Sequence, residues 1–182
     1  MKELSLNILD IAENSAKAEA TLIEIQLLET EFTLTIAIKD NGFGMSCETL
    51  KSVTNPFYTT RTTRDVGLGI PLLILSAEQT GGFVKINSKK KDGTNSSYGT
   101  EVVAHYNKNH IDFTPLGNVI STLVTLIQGH PEIDFLFEHK KGNSTVLLDT
   151  REIRAVLEDI PLNSFDILKW IEENLVEQYS EF

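Results

Sequence analysis

Two neighbouring segments with alternating apolar and polar residues constrain the fold of this 182-residue chain most strongly. Residues 21–28 and 32–39 both have the period of two that is typical of a strand with one buried face, and the three residues between them predict a hairpin. Residues 4–18 have apolar positions at helical spacing and predict a helix before this hairpin. The first third of the chain therefore combines helix and antiparallel strands.

Further helices and strands are predicted after this hairpin. A short helix is predicted at 48–53, a non-periodic loop at 54–66, a helix at 70–79 that Gly81 and Gly82 end, and paired strands at 83–88 and 100–106. The remainder predicts a helix at about 115–129, strands at 132–138 and 144–149, and helices at 150–158 and 164–178.

The acidic residues divide the chain unevenly. The formal net charge is -10, and residues 107–182 hold 13 acidic and 6 basic residues, against 13 and 10 in residues 1–106. This shift coincides with a polar segment after a predicted strand, so we expect one domain at 1–106 and a small acidic α/β module at 107–182. An acidic surface disfavours general binding to nucleic acid or to anionic membranes.

The remaining composition predicts a cytoplasmic protein. Cys47 is the single cysteine, which excludes an intrachain disulfide. We find no signal-peptide pattern and no apolar run of about 18 residues, the length that a membrane span requires.

Three polar residues share one face of the first predicted helix. Asp10 and Asn14 are four residues apart, and Lys17 follows three residues later. A carboxylate, an amide oxygen and an ammonium group suit a metal-bound polyphosphate, because the amide is a hard Mg²⁺ ligand and the carboxylate can act as a base. The same residues also fit the solvated face of an amphipathic helix.

Two glycine-rich turns offer binding chemistry of other kinds. Asp40-Asn41-Gly42-Phe43-Gly44 could place a carboxylate against the exocyclic amine of a flat base, or it could be a capped turn. Gly67-Leu68-Gly69 precedes a helix, where backbone amides can bind phosphate, although such turns are also common loop-to-helix junctions. The loop before it contains the cations Arg61 and Arg64 and the hydroxyls of Thr59 and Thr60, which could bind phosphate or remain solvated.

Five motifs in order resemble those of the GHKL ATPases, which include DNA gyrase, histidine kinases and MutL-type proteins. LDIAENSAKA resembles the N box, DNGFGM the G1 box, NPFYTTR the F box of histidine kinases, GLGIPL the G2 box and YGTEV the G3 box. The resemblance covers about residues 4–106. It implies a Bergerat-type α/β sandwich, a mixed sheet with helices on one face, followed by the small C-terminal module.

The resemblance also implies a role for each matching residue. Asn14 would bind Mg²⁺, Lys17 would contact phosphate and Asp10 would be the general base, while Asp40 would bind the adenine amine with Thr100 nearby. Gly42 and Gly44 would line the pocket for the adenine base.

The ATP lid would span about residues 58–66. Thr59, Thr60 and Arg61 would contribute ATP contacts there, and Gly67, Leu68 and Gly69 would meet the phosphates at its end. The resemblance thus implies ATP and Mg²⁺ as cofactors.

Two departures from the family pattern affect the expected activity. Asp10 replaces the glutamate that the family often has at the base position, and its side chain is one methylene shorter. All four histidines, His105, His110, His130 and His139, follow the nucleotide motifs. We find no dimerising hairpin with a phosphoacceptor histidine, and we interpret these four as surface or structural residues.

The acidic module at 107–182 has no such motif. Its apolar stripes fit a core, or packing on the ATPase domain. Alternatively, Trp170 and the acidic residues near the end of the chain could form a surface for a protein partner.

Two functional hypotheses follow. The chain is either an ATPase or protein kinase that resembles the stand-alone anti-sigma serine kinases, or a non-catalytic ATP-dependent regulator whose lid changes partner binding. The sequence does not identify the partner or the oligomeric state.

Overall fold

The computed structural model describes residues 3–53, 69–92, 98–157 and 160–182. Within these ranges the chain forms six helices and six strands. In chain order the elements are α1 (Leu4–Lys17), β1 (Leu22–Glu29), β2 (Thr33–Asp40), α2 (Cys47–Ser52), α3 (Gly69–Glu78), β3 (Phe83–Lys89), β4 (Gly99–Asn107), α4 (Val119–Gly129), β5 (Asp134–Lys141), β6 (Ser144–Asp149), α5 (Thr150–Leu157) and α6 (Phe165–Ser180).

All six strands belong to one mixed sheet with the order β3-β4-β2-β1-β5-β6. The pairing of β1 with β5 is parallel and the other four pairings are antiparallel. The predicted hairpin β1–β2 and the predicted pairing of β3 with β4 are both present, and β5 and β6 form a second hairpin. The strands after residue 107 therefore extend the sheet that the first four strands form.

The alternation in the sequence sets which face of the sheet is buried. On β1, Ile23, Ile25 and Leu27 are at most 1% exposed, whereas Gln26 and Leu28 on the other face are exposed. The buried face packs against helices, where α1 contacts α3 and α4, and α4 contacts α6. The expected α/β sandwich, a mixed sheet with helices on one face, is confirmed.

Several predicted boundaries differ from the structure: the strand expected at 132–138 is β5 at Asp134–Lys141, and the largest shift of a start is that of α4. The helix expected from about residue 115 begins at Val119, after Asn118, whose side chain accepts a hydrogen bond from the backbone N–H of Ser121 at 2.9 Å. The carbonyl groups of Pro115 and Leu116 instead accept hydrogen bonds from the first N–H groups of α1, at Leu4 and Ser5. Because their carbonyl groups cap α1, Pro115 and Leu116 are not part of α4.

Candidate functional site

The polar face of α1 opens the site. Asp10, Asn14 and Lys17 are exposed, while Ile8, Ile11 and Ala12 are buried in the core. Helical geometry thus separates the two sets of residues onto opposite faces, as the spacing predicts. The three polar side chains are available for a ligand at the surface of the protein.

The first residue of α3 lies against this polar face. A side-chain carbon built on Gly69 would be 3.4 Å from Cβ of Asp10 and 3.8 Å from Nδ2 of Asn14. The N-terminus of a helix carries unpaired backbone N–H groups and a positive dipole end. The fold therefore joins two motifs that are about sixty residues apart in sequence, and it places an anion-binding helix terminus beside a carboxylate and an amide.

Asp40, at the end of β2, is a buried carboxylate held by three donors. Its Oδ1 accepts from the backbone N–H of Gly42 at 2.9 Å and of Thr100 at 3.2 Å, and its Oδ2 accepts from the Ser15 hydroxyl at 2.7 Å. The residue is 8% exposed. Three donors fix the carboxylate plane and satisfy most of its acceptor sites, but a carboxylate has about four. Among the described residues, these donors leave one acceptor position of Asp40 for a ligand.

Ser15 is the site residue that the sequence interpretation missed. It is 4% exposed and follows Asn14 directly, so α1 directs one residue to the ligand face and the next to Asp40. A serine within a helical pattern usually carries no such signal. Only the packing of α1 on β2 makes it a partner of Asp40.

A second hydroxyl network fixes the turn after β2. Ser88 on β3 lies 2.9 Å from the hydroxyl of Thr100 and accepts from the backbone N–H of Met45 at 2.8 Å. Thr100 also gives its N–H to Asp40. The turn with the predicted base-binding glycines is therefore connected to the sheet by hydrogen bonds.

Gly44 is required by backbone geometry. Its φ angle is +64°, and a side-chain carbon there would overlap the backbone carbonyl of Lys89. Gly42 is also closely packed, with the backbone of Ala18 against it. The close approach of the turn to α1 and to the end of β3 depends on these missing side chains.

The electrostatics of the polar face favour a protonatable carboxylate. The exposed Asp10 carboxylate is still partly desolvated by the protein around it, which raises its pKa above the ordinary value. Lys17 acts in the opposite direction, and the negative charge of Glu13 adds to the rise. Glu13 in turn lies 3.0 Å from Nε2 of His130, at the end of α4. A carboxylate with a raised pKa accepts a proton more readily at neutral pH.

Each of the four histidines lies next to another polar side chain of the protein. His139 is buried and lies between Glu29 and Tyr179, His130 contacts Glu13, and His105 lies 2.9 Å from the hydroxyl of Thr35. His110 is exposed beside Asp112. These contacts agree with the interpretation of the histidines as surface or structural residues.

Part of the expected site lies outside the described residues. Thr59, Thr60, Arg61, Arg64, Gly67 and Leu68 fall within 54–68, so their expected phosphate contacts stay predictions. Among the residues that are described, no group of three or more His, Cys, Asp or Glu side chains could hold a metal ion. No helix in the described ranges is long and apolar enough to cross a membrane.

A sequence profile described as "Histidine kinase-, DNA gyrase B-, and HSP90-like ATPase" matches residues 1–110. Sporulation kinase C of Bacillus subtilis strain 168 is 30% identical over 96 residues, which are 52% of this chain and 22% of that kinase. Sporulation kinase E of the same strain is 33% identical over 95 residues, 52% of this chain and 13% of that protein. The chain thus spans less than a quarter of the length of either kinase.

Solved structures with the same fold include a MutL ATPase domain. The Aquifex aeolicus MutL ATPase domain complexed with ADP has a TM-score of 0.56 and 17% sequence identity, and the match covers 97% of this chain and 70% of that one. The N-terminal domain of a DNA repair protein has the same TM-score and identity, over 82% of this chain and 53% of that chain. The similarity of fold to the MutL domain therefore extends into the segment after residue 107.

Proposed function

Because the chain belongs to the family of histidine kinase-, DNA gyrase B- and HSP90-like ATPases, we propose that it binds Mg-ATP and either hydrolyses it or transfers its phosphate to a protein partner. The observation that carries the proposal is the convergence of three motifs on α1. Gly69 of α3 lies against Asp10 and Asn14, and the adjacent Ser15 donates to Asp40 at the end of β2. α1 thus connects the N-terminus of α3, where phosphate would bind, with the buried carboxylate of Asp40, which would bind adenine.

The adenine base of ATP would bind to the Asp40 carboxylate. Its remaining acceptor position suits the exocyclic amine of adenine, whereas the keto oxygen of guanine at the same position would face a carboxylate oxygen without a donor. Gly42 and Gly44 let the turn beside this carboxylate pack closely on α1 and on the end of β3. The Aquifex aeolicus MutL ATPase domain, which has the same fold, is complexed with ADP, and this supports the binding of an adenine nucleotide.

The phosphate end would use the exposed face of α1 and the start of α3. The donor set fits Mg²⁺, because that ion usually takes few protein ligands and completes its shell with phosphate oxygens and water, and the Asn14 amide supplies one hard oxygen. When bound, the ion neutralises phosphate charge. Lys17 and the N-terminus of α3 would hold the anionic groups, and Thr59, Thr60, Arg61, Gly67 and Leu68 are expected to add to them.

Asp10 would act as the general base of the reaction. It lies one helical turn before Asn14 and contacts the Gly69 position, so it would orient a water molecule or a partner hydroxyl and take its proton. The raised pKa that partial desolvation gives this carboxylate favours that proton transfer.

A protein partner would bind through residues 107–182. Trp170 is 52% exposed on α6, and the neighbouring Glu172, Glu173, Glu177 and Glu181 are exposed as well. An exposed tryptophan among acidic residues suits a partner with a basic rim around an apolar pocket. The two related sporulation kinases support phosphoryl transfer as the reaction class.

Binding and turnover of labelled ATP test the proposal together. We expect wild-type protein with Mg²⁺ to bind ATP, the Asp40→Asn and Asn14→Ala variants to lose at least about tenfold in affinity, and Asp10→Asn to keep affinity but lose turnover. Asp166→Asn on α6 serves as the charge-matched control and should behave as wild type. Unchanged ATP affinity in both Asp40→Asn and Asn14→Ala would refute the proposed site.

The same assay distinguishes the two hypotheses about chemistry. If the protein bound ATP but neither hydrolysed it nor transferred its phosphate, even with co-purifying proteins present, the enzyme hypothesis would be refuted. The non-catalytic regulator would then be the function that the data support. Appearance of label on a co-purified protein would identify the phosphoacceptor.

A further inference from the structure

The β3 edge of the sheet carries a concentration of positive charge. In the described part of the chain β3 is an end strand of the sheet, with β4 on its inner side. Lys85 and Lys89 lie on the exposed face of β3, Lys90 and Lys91 follow directly, and all four residues are exposed. Among the described residues, none of these four lysines is part of an ion pair. In a chain with a net charge of -10, the edge is thus a local reversal of sign.

Neighbouring contacts leave the charges of these lysines uncompensated. Nζ of Lys85 lies 5.0 Å from the centroid of the Phe83 ring, a cation–π contact that adds no negative charge. Glu101 on β4 lies opposite Asn87 and accepts from Nδ2 of that residue at 3.2 Å. The carboxylate at this position of β4 is therefore bonded to an amide and not to Lys85 or Lys89.

Hydrogen bonds at the end of β4 determine which backbone groups of β3 point outward. The N–H of Asn107 donates to the hydroxyl of Thr80, just before β3, and the N–H of Lys108 donates to the C=O of Phe32, just before β2. Because successive residues of a strand direct their backbone groups to opposite sides, odd-numbered residues of β4 bond to β3 and even-numbered residues bond to β2. The register then directs three residues of β3 away from β4: Val84, Ile86 and Ser88.

The outward backbone groups of β3 are accessible. Among the described residues, the N–H and C=O groups of Val84, Ile86 and Ser88 have no hydrogen-bond partner on the outer side. α3 contacts both β3 and β4, so it lies on the face of the sheet and not beside the edge. The turn after β2 reaches the Ser88 side chain and, beyond the strand, the N–H of Lys91. An extended peptide can therefore add a strand along β3.

We propose that the β3 edge binds an extended acidic segment of a protein partner as an additional antiparallel strand. The unpaired backbone groups require a peptide, whereas a nucleic acid would satisfy the lysines alone. Residues opposite Lys85 and Lys89 would occupy non-hydrogen-bonded positions, where opposed side chains approach most closely. The edge therefore selects two acidic residues with three residues between them. A second β3 would collect four lysines on one face, which disfavours a second copy of this chain.

A synthetic heptapeptide tests the inference on the full chain without nucleotide. Glu-Thr-Thr-Val-Glu-Val-Thr, acetylated and amidated, would place its glutamates opposite Lys89 and Lys85 and its central valine opposite Ile86. We expect the labelled peptide to bind, and the Ile86 amide to exchange at least about tenfold more slowly at saturation. The Lys85 amide, which bonds inward to β4, should keep its exchange rate. The isomer Glu-Thr-Thr-Glu-Val-Val-Thr has its glutamates on opposite faces and should bind at least about tenfold more weakly.

Charge reversal makes the test specific to this edge. Lys85→Glu combined with Lys89→Glu should weaken binding of the first peptide at least about tenfold, because like charges are then opposed. The control is Lys140→Glu combined with Lys169→Glu, which changes the net charge equally at exposed positions of β5 and α6 and should bind as wild type. Equal affinity in wild type and in the β3 variant, or for the two peptides, would refute the proposed edge site.

Backbone methylation separates strand pairing from simple attraction of charge. An N-methyl group on the central valine removes the donor to the C=O of Ile86 and should abolish binding, whereas N-methylation of the preceding threonine, whose N–H points away from β3, should not. Equal binding of the two methylated peptides would refute strand addition. A single-stranded DNA decanucleotide should not displace the peptide; displacement would identify the lysines as a general anion site and would also refute the proposal.

Discussion

The hydrogen bond from Ser15 to Asp40 would orient the proposed adenine-binding carboxylate before a ligand binds. The Ser15 hydroxyl is one of three donors that hold a carboxylate which is 8% exposed. In Ser15→Ala the buried oxygen Oδ2 loses its donor, which costs about 1–3 kcal/mol of stability for a buried acceptor. We expect a lower melting temperature and a roughly tenfold weaker ATP affinity, measured by calorimetry.

The control for this prediction is Ser121→Ala, at an exposed position of α4. A Ser15→Ala variant with wild-type ATP affinity would show that the two backbone N–H groups alone orient Asp40.

Gly44 allows the effect of close packing to be separated from that of backbone conformation. Gly44 and Gly81 have similar φ angles of +64° and +74°, but a side-chain carbon on Gly81 would meet nothing within 4 Å, whereas on Gly44 it would overlap Lys89. Alanine at either position strains the backbone by about 1 kcal/mol. We expect Gly44→Ala to lose at least about 2 kcal/mol more than Gly81→Ala in urea unfolding, because the turn must move away from β3.

Equal losses in the two variants would contradict this prediction. They would mean that the turn after β2 adjusts without penalty, and the base pocket could then not depend on its close approach.

Individual site residues were predictable to different degrees. Asp40 and Gly44 carry local signals, because a carboxylate and a glycine-rich turn at the end of a strand are visible in the sequence itself. Ser15 and Ser88 carry none, since their hydroxyls have a role only after α1 and β3 have packed against the turn. Local chemistry can be predicted from sequence, whereas partners supplied by tertiary packing cannot.

At the scale of elements, periodicity predicted the strands well and some helix boundaries less well. β1 and β2 alternate over their whole length because one face is buried and the other is open. The start of α4 differed because the preceding residues cap α1 instead. A competing long-range hydrogen bond leaves no trace in the local pattern.

The end of α6 is attached to the sheet by a buried titratable cluster. Glu29 on β1 lies 3.3 Å from Nε2 of His139 and accepts from Nζ of Lys108 at 2.6 Å, and Nδ1 of His139 lies 2.9 Å from the hydroxyl of Tyr179. A carboxylate can only accept, so Nε2 donates to Glu29, and Nδ1 of the neutral ring accepts from Tyr179. Lys141 lies 3.7 Å from the same carboxylate.

Acidification should weaken this attachment. Burial lowers the pKa of His139 below its ordinary value of 6.5, although the charge of Glu29 acts against this. The folded state therefore disfavours the protonated ring: the stability that His139 contributes is complete above pH 6.5 and decreases as the pH falls from 6.5 toward the lower pKa of the folded protein. We expect the free energy of unfolding to fall between pH 7.5 and 5.5, by at most about 1.4 kcal/mol per pH unit from this group.

The measurement is urea unfolding at several pH values for wild type and His139→Gln, which cannot titrate. The pH dependence should be shallower in His139→Gln, while His110→Gln, at an exposed position, should keep the wild-type slope. Equal slopes in wild type and His139→Gln would show that other groups cause the pH dependence.

At the scale of the whole molecule, the described residues after 107 contact the first part of the chain at several places. β5 pairs with β1 along its length, Pro115 and Leu116 cap the first turn of α1, and His130 contacts Glu13 beside Asn14. The charge shift in the sequence indicated a boundary near residue 106, but no local pattern could indicate a parallel pairing between strands more than a hundred residues apart. A partner bound to residues 107–182 would therefore lie one contact away from the helix that carries Asp10 and Asn14.

The division into domains 1–106 and 107–182 stays a prediction, and cooperativity of unfolding tests it. A single six-stranded sheet predicts one transition, because separating the segments would expose β1, whose inward residues are at most 1% exposed, and uncap α1. Trp170 is the single tryptophan, so its fluorescence reports on the C-terminal segment alone, while hydrogen exchange of β2 and β4 amides reports on the first. We expect both probes to give the same urea midpoint, and a fragment of residues 1–110 to lack exchange protection. Two separate midpoints, or a protected fragment that binds ATP, would instead establish two autonomous domains.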